Sequence, residues 1–499
     1  MKDENKEENY THILKYTGIF GGVQGLNIIV GLVRNKCVAY LLGPSGMGLV
    51  ALFNSVVNFV SQATNMGISF SAVRHVSELF EQGDEERITH FVKVVRAWSL
   101  LTALLGMLLC VIAGPLLSSK TFSWGDHTLH FMLLAPAVGL LAITGGETAI
   151  LKGARRLKSL AAIQVFTVVI SLIITIPIYA FFGQAGIVPV IVLGALTTML
   201  LTIRYSYRLY PLQLTGAKGI LGEGMEMVRL GMAFVVAGIM GSGAEMLIRS
   251  FLNVEGELDV VGLYNAGFML TMTYAGMVFS AMETDYFPRL SAVGNDVEKL
   301  NMVVNRQSEV TLLIVSPMLP VMMLLLPVLI PILFRSDFLP VVAMAQVILL
   351  SMYVRAVYLP MAYITLAKGD SIHYFMLEAA YDILVVVFVI VGYLHWGLTG
   401  TGIAIALANV CDILLTYAYT SIRYQLRISS SVLWFMGIQL PLGIGVYILT
   451  FIDNAVLYWG MGSLLCLVSM MISIYILHQK SSLWTALVEK LKSRFSHHA

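Results

Sequence analysis
The chain is 499 residues long, 58% hydrophobic and 12% charged, with a formal net charge of +2, whereas a soluble domain carries about 25% charged residues. No water-soluble fold of this length could cover so much apolar surface with polar groups, so the bilayer is the expected solvent. The small net charge, without a basic block interleaved with aromatics, excludes a nucleic-acid partner.

Residues 1–12 read as a polar, acidic cytoplasmic leader. The apolar stretch that follows is too long for a signal peptide and lacks a basic lead-in and a small-residue cleavage site. A helix needs about 20 apolar residues to cross the hydrocarbon core. Such stretches fall near 13–42, 47–71, 92–114, 131–151, 160–182 and 186–206, then near 228–252, 262–287, 308–333, 340–366, 372–394 and 399–421. Two more lie near 432–451 and 456–477, which makes about fourteen transmembrane helices. The 308–333 segment carries Pro317, Pro320, Pro327 and Pro331, so it is expected to kink and to free carbonyls that neighbours must satisfy.

The fold class is therefore an all-α polytopic membrane protein. Its expected divisions are the leader 1–12, a first lobe 13–210, a cytoplasmic linker 211–227, a second lobe 228–423, a further pair of spans 432–477 and a cytoplasmic tail 480–499. In the tail, Trp484, Leu487, Val488, Leu491 and Phe495 share one face, the pattern of an amphipathic helix resting on the inner leaflet. Lys and Arg set the direction of the spans. With the N-terminus inside, the cytoplasmic side holds clusters such as Lys152, Arg155, Arg156 and Lys158, and the outer loops hold only Lys120 and Arg335. Both termini are thus expected in the cytoplasm. Cys37, Cys110, Cys411 and Cys466 are far apart and show no zinc or disulfide spacing.

An internal repeat recurs at an offset of 214 to 216 residues. Gly48-Leu49 matches Gly262-Leu263, Lys152-Gly153 matches Lys368-Gly369, Gly186-Ile187 matches Gly402-Ile403, and Arg34 matches Arg249. An even number of spans per repeat leaves both lobes in one orientation, an architecture of transporters whose lobes rock about a shared site.

The segments Leu42-Gly43-Pro44-Ser45-Gly46-Met47-Gly48-Leu49, Val261-Gly262-Leu263-Tyr264-Asn265-Ala266, Tyr286-Phe287-Pro288-Arg289-Leu290-Ser291, Lys152-Gly153-Ala154-Arg155 and Ala367-Lys368-Gly369 resemble one family. It is the polysaccharide transporter branch of the multidrug/oligosaccharidyl-lipid/polysaccharide (MOP) exporter superfamily. Within that branch the chain is most similar to Wzx-type O-antigen and lipid III flippases. The resemblance implies two parallel lobes of MATE/MurJ type plus two C-terminal helices. It also implies export of an undecaprenyl-diphosphate-linked oligosaccharide across a bacterial inner membrane, no cofactor, no enzymatic step, and a polysaccharide polymerase complex as a further partner. Lys36 and Arg249 fall where such flippases tend to carry a basic residue.

Four cations lie inside spans: Arg34, Lys36, Arg249 and Arg355. Each costs about 2.5–3.5 kcal/mol at mid-bilayer, so each must face water, a counter-charge or a ligand. Arg34 and Arg249 lie roughly 10–14 Å inside the outer ends of their spans at 1.5 Å per residue. The expected substrate-binding residues are Arg34, Arg249, Arg355 and Lys36, because a guanidinium fork donates two hydrogen bonds to phosphate oxygens. Open alternatives are an ion pair of Arg249 with Glu245, four residues earlier, and an outward-snorkelling Lys36. Glu378, Asp382 and Asp412 are the candidates for ion coupling, with a Glu378–Lys368 pair as the alternative. A drug/cation antiporter of the same superfamily is the second functional expectation. A membrane-embedded polymerase or ligase is the third, although no outer loop is long enough to present catalytic groups and no nucleophile constellation appears.

Overall fold
The computed structural model describes residues 4–122, 125–212, 220–294 and 296–480. The amphipathic helix expected in the tail, the middle of the linker and the start of the leader lie outside the described residues. The helices are α1 (Glu4–Thr64), α2 (Ile68–Gln82), α3 (Glu85–Thr121), α4 (Thr128–Gly153), α5 (Leu157–Phe182), α6 (Ile187–Leu209), α7 (Ile220–Phe268), α8 (Met277–Ser291), α9 (Val297–Leu333), α10 (Val341–Ala367), α11 (Ser371–Tyr424), α12 (Ser430–Leu449) and α13 (Ala455–Lys480). The expected all-α membrane fold is borne out.

Among the described residues, ten helical stretches are long and apolar enough to cross a membrane. Four of them, Gly25–Thr64, Leu157–Leu209, Val235–Phe279 and Ser371–Tyr424, run for 40 to 54 residues. A straight helix of that length would measure roughly 60–80 Å, at least twice the hydrocarbon core. Each therefore turns, at Gly43, Gly183, Glu257 and Gly397, where φ is 67°, 54°, 67° and 55°. Glycine takes this left-handed conformation without steric cost, whereas Glu257 adopts it against a side-chain penalty. Gly43 and Glu257 are separated by the 214-residue offset of the sequence repeat, as are Gly183 and Gly397, and as are Arg155 (φ 53°) and Gly369 (φ 71°). The repeat is thus written in the backbone, in two of the three pairs at positions where the side chains differ.

By backbone contacts the chain forms two compact units, residues 1–265 with 333–337, and residues 266–332 with 338–499. Nearly all of α7 packs in the first unit, although the sequence places the lobe boundary at the 211–227 linker. Two close crossings hold it there. Gly262 of α7 lies against α1, where a Cβ would come within 1.9 Å of the Pro44 carbonyl oxygen; its repeat mate Gly48 faces the Leu258 carbonyl at 2.1 Å in the same sense. Gly231 lies against Gly67, where a Cβ on Gly67 would come within 2.4 Å of the Gly231 Cα. Asn253 also donates to the Thr121 carbonyl at 2.7 Å. The core of this unit gathers Ile88, Val92, Val95, Trp98 and Ile150 from α3 and α4. On α3, Leu104, Leu108, Ile112 and Leu116 form an i,i+4 stripe more than half exposed, a face that only lipid would accept.

In the second unit α9 stays helical through all four prolines. Pro320 and Pro327 cannot donate to the carbonyls four residues earlier, those of Ser316 and Met323. The Tyr353 hydroxyl reaches the Ser316 carbonyl at 3.2 Å and the Gln346 amide reaches that of Met323 at 3.3 Å, both from α10. The Ser469 hydroxyl of α13 also lies 3.3 Å from the Ser316 carbonyl and donates to Gln439 of α12 at 2.6 Å. A buried polar network therefore ties α12 and α13 to the proline-rich helix.

Candidate functional site
Three helical faces of the second unit bring charge together inside the membrane-spanning segments. Ser351, Arg355 and Tyr358 follow one another at i, i+4, i+7 on α10; Glu378, Tyr381 and Asp382 share a face before the Gly397 turn of α11; Asn409 and Asp412 share one after it. Tyr358 hydrogen-bonds Asp412, and Arg355, Glu378 and Asp382 lie within electrostatic range of the same carboxylate. Tyr374 hydrogen-bonds Glu378. Asn409 donates to Ser351 at 2.9 Å, and the Tyr381 hydroxyl sits 3.5 Å from the Asn409 side-chain oxygen. Asp412 is 4% exposed, so its surroundings, not solvent, set its charge state. Lys368, the alternative partner for Glu378 in the sequence reading, donates instead to the Gly294 carbonyl. The sequence named Arg355, Glu378, Asp382 and Asp412 for two separate tasks; the structure puts them in one cluster.

Arg355 also borders a cavity of about 160 Å³ with Tyr286, Gln307, Thr311 and Tyr363. Met272 and Gly276, which line it too, belong to or adjoin a π-helical turn, Met269–Ala275. π-Turns insert a residue into a helix and recur at functional sites.

The first unit contains a larger cavity of about 620 Å³. Its lining comes from the end of α1, the start of α2, and α3, α4 and α7; every lining residue is polar or glycine except Ile68, Leu141 and Ala142. Glu245 is among them, and it accepts from the Arg249 guanidinium at 2.7 Å. Arg249 is 9% exposed, and its Nε has no partner among the described residues. Arg34, its repeat mate, is instead exposed on α1, as is Lys36; the Arg34 charge acts on Tyr179 of α5. The two repeat-related arginines therefore sit in unlike surroundings.

Two features escaped the sequence reading. One is the polar stripe Asn54, Asn58, Ser61, Gln62 and Asn65, which runs along the apolar part of α1 after the Gly43 turn and just past its end, and whose spacing was there to be read. The other is a buried node joining α3, α4 and α6. Arg96 pairs with Glu147 at 2.8 Å, donates to the Tyr210 carbonyl at 2.8 Å and stacks over Tyr207, and Ser206 donates to Glu147 at 2.5 Å. Both charges looked like ordinary cytoplasmic-side residues, because nothing local in the sequence shows that they meet.

The family described as polysaccharide biosynthesis protein matches residues 37–343. The chain belongs to that family. The fold of this chain is shared by solved transporter structures. The lipid II flippase MurJ in an inward closed conformation superposes with a TM-score of 0.73 at 15% identity, covering 92% of this chain and 99% of MurJ. An inward-facing multidrug resistance MATE family transporter of the MOP superfamily gives 0.67 at 16%, covering 80% and 94%. A MOP superfamily transporter from Pyrococcus furiosus, described as having a binding pocket of reverse polarity, gives 0.58 at 14%, covering 82% and 94%. No curated protein matches the sequence. The expected family is thus borne out as that of polysaccharide biosynthesis proteins, and the expected MATE/MurJ-type fold is borne out with it; with its many apolar spanning helices this is a multi-pass membrane protein.

Proposed function
We propose that the protein is a flippase that carries an undecaprenyl-diphosphate-linked oligosaccharide, an O-antigen or related surface polysaccharide unit, from the cytoplasmic to the periplasmic leaflet by alternating access. The observation that carries this reading is the position of Arg249 and Arg355 in apolar spanning helices. Arg355 borders a cavity that Gln307 and Thr311 also line, and Arg249 is paired to a residue that lines another. Cations so expensive to keep in a bilayer are retained where they meet a charged ligand. A diphosphate fits, since each guanidinium can grip two of its oxygens. Arg34 and Lys36 are further candidates for binding phosphate.

Glu378, Asp382 and Asp412 serve ion coupling in this reading. A proton or cation taken up by the cluster weakens its hold on Arg355 and frees the guanidinium for phosphate, which links ion and substrate on one residue. The lobes rock, the polyprenyl tail stays in lipid, and no covalent chemistry or cofactor is required. The protein lies in the bacterial inner membrane with both termini cytoplasmic, and a polysaccharide polymerase complex on the periplasmic side takes over the delivered unit.

The test is reconstitution in liposomes with a fluorescent diphosphate-linked lipid oligosaccharide. Protein-dependent crossing between leaflets, reduced at least tenfold by Arg249→Ala and by Arg355→Ala at equal protein content, is expected; a tenfold loss corresponds to about 1.4 kcal/mol. The acid cluster favours one second reading, a cation antiporter. Efflux of small organic cations without lipid crossing would establish it and remove the flippase.

A further inference from the structure
We propose that the cavity of the first unit is a subsite for the uncharged, hydroxyl- and acetamido-bearing sugar ring next to the diphosphate. The proposal rests on the flippase reading and names what this part of the site recognises. At about 620 Å³ the cavity lies in the range of small-ligand sites, about 300–1,000 Å³. Its chemistry selects among the three parts of a lipid-linked sugar. The walls offer the carboxamides of Asn58, Gln62 and Asn65, the hydroxyls of Ser61 and Ser242, and the carboxylate of Glu245, and no Lys or Arg lines it among the described residues. A phosphate there would meet no cation in the walls, since Arg249 lies behind Glu245 and is already paired with it. A polyprenyl tail would leave the amides without hydrogen-bond partners. A neutral ring bearing hydroxyls and an acetamido group offers both donors and acceptors, which carboxamides and hydroxyls need on both sides.

The lining is also held in place. Asn65 donates to the Gln62 side-chain oxygen at 3.0 Å and accepts from the Gly67 amide at 2.7 Å. That fixes which end of the Gln62 amide is turned to Asn65 and leaves its two N–H donors for a ligand. Ser242 donates to the Gly238 carbonyl at 2.6 Å, so its oxygen points lone pairs elsewhere and acts as an acceptor. Such internal hydrogen bonds are what keeps a recognition site from collapsing onto itself when empty. At Gly145 an added Cβ would meet only the Ser69 Cβ, at 3.7 Å, so a larger side chain there enters the cavity without displacing backbone.

The experiment compares two defined lipids on the full-length protein in nanodiscs: undecaprenyl diphosphate, and the same lipid bearing one N-acetylhexosamine. The sugar-bearing lipid is expected to bind at least about tenfold more tightly. Gln62→Ala and Gly145→Leu should each erase most of that advantage and leave the affinity for the sugar-free lipid unchanged. An advantage that survives in both variants, or equal affinity of the unaltered protein for the two lipids, overturns the subsite while leaving the flippase reading in place. Failure to bind either lipid overturns the flippase reading, and the subsite with it.

Discussion

At the scale of single residues, the contrast between Arg34 and Arg249 shows how far position in sequence falls short of environment. Both are seen in the sequence as buried cations at matching depth, yet one is exposed and the other is closed in by Glu245. Asp370 shows the reverse: it looks like a loop acid, and the fold makes it a hub. It stands at the start of α11, accepting from the Tyr419 hydroxyl at 2.5 Å and the Tyr424 hydroxyl at 2.8 Å, and contacts His373 at 2.6 Å. The Tyr419 hydrogen bond, then those of His373 and Tyr424, holds its carboxyl well below the usual carboxylate range. A depressed carboxylate stabilises the fold in full above its unfolded pKa of about 4, and that stability is lost as pH falls toward the folded value. Asp370→Asn should therefore lower the melting temperature in detergent at pH 7 and narrow its gap to the unaltered protein between pH 5 and pH 3. A gap that does not change with pH would mean that the hydrogen-bond geometry, not the charge, is what matters at this position.

At the scale of elements, hydropathy and glycine were enough to place most turns of the chain. Gly43, Gly183 and Gly397 stand where one apolar stretch gives way to the next, and each takes the left-handed conformation glycine allows. Glu257 takes the same conformation without being glycine, five residues before the helix crossing at Gly262. The cluster on α10 and α11 was half legible. Its charges stand out in an apolar span, but Tyr358, Tyr381 and Asn409 are residues found in any membrane helix, and only packing makes them partners. The prolines of α9 were legible as a demand on neighbours without saying which neighbours. Tyr353 is one answer, since its hydroxyl takes up the carbonyl that Pro320 frees. Tyr353→Phe keeps the ring and removes that donor, leaving a buried carbonyl with only the Ser469 hydroxyl, whose single proton is already given to Gln439 at the shorter distance. A loss of about 1–2 kcal/mol is expected, read as a lower melting temperature in detergent. Tyr475→Phe, at an exposed position, is the control that should change nothing; equal effects from both would remove the proline-satisfaction account.

At the scale of the whole molecule, the repeat gives α1 and α7 matching breaks, and the repeat-related glycines Gly48 and Gly262 meet where the two helices cross. That contact is made of backbone, on the side that the proposed orientation makes periplasmic. If alternating access operates, the crossing closes in one state and parts in the other, and a glycine is the residue that lets it close. A methyl at Gly262 would sit 1.9 Å from the Pro44 carbonyl oxygen, a distance no helix pair tolerates without separating. Gly262→Ala then penalises only the state in which the crossing is tight, and each 1.4 kcal/mol of such a penalty moves the populations about tenfold. The shift is readable by introducing Asn58→Cys, in the cavity of the first unit, into a chain whose four native cysteines are replaced. A membrane-impermeant thiol reagent applied from the periplasmic side should label that position faster when Gly262→Ala is also present, and export should fall because one half of the cycle is disfavoured. Unchanged labelling in a protein that still melts cooperatively would make the crossing a fixed structural contact and place the moving part of the cycle elsewhere.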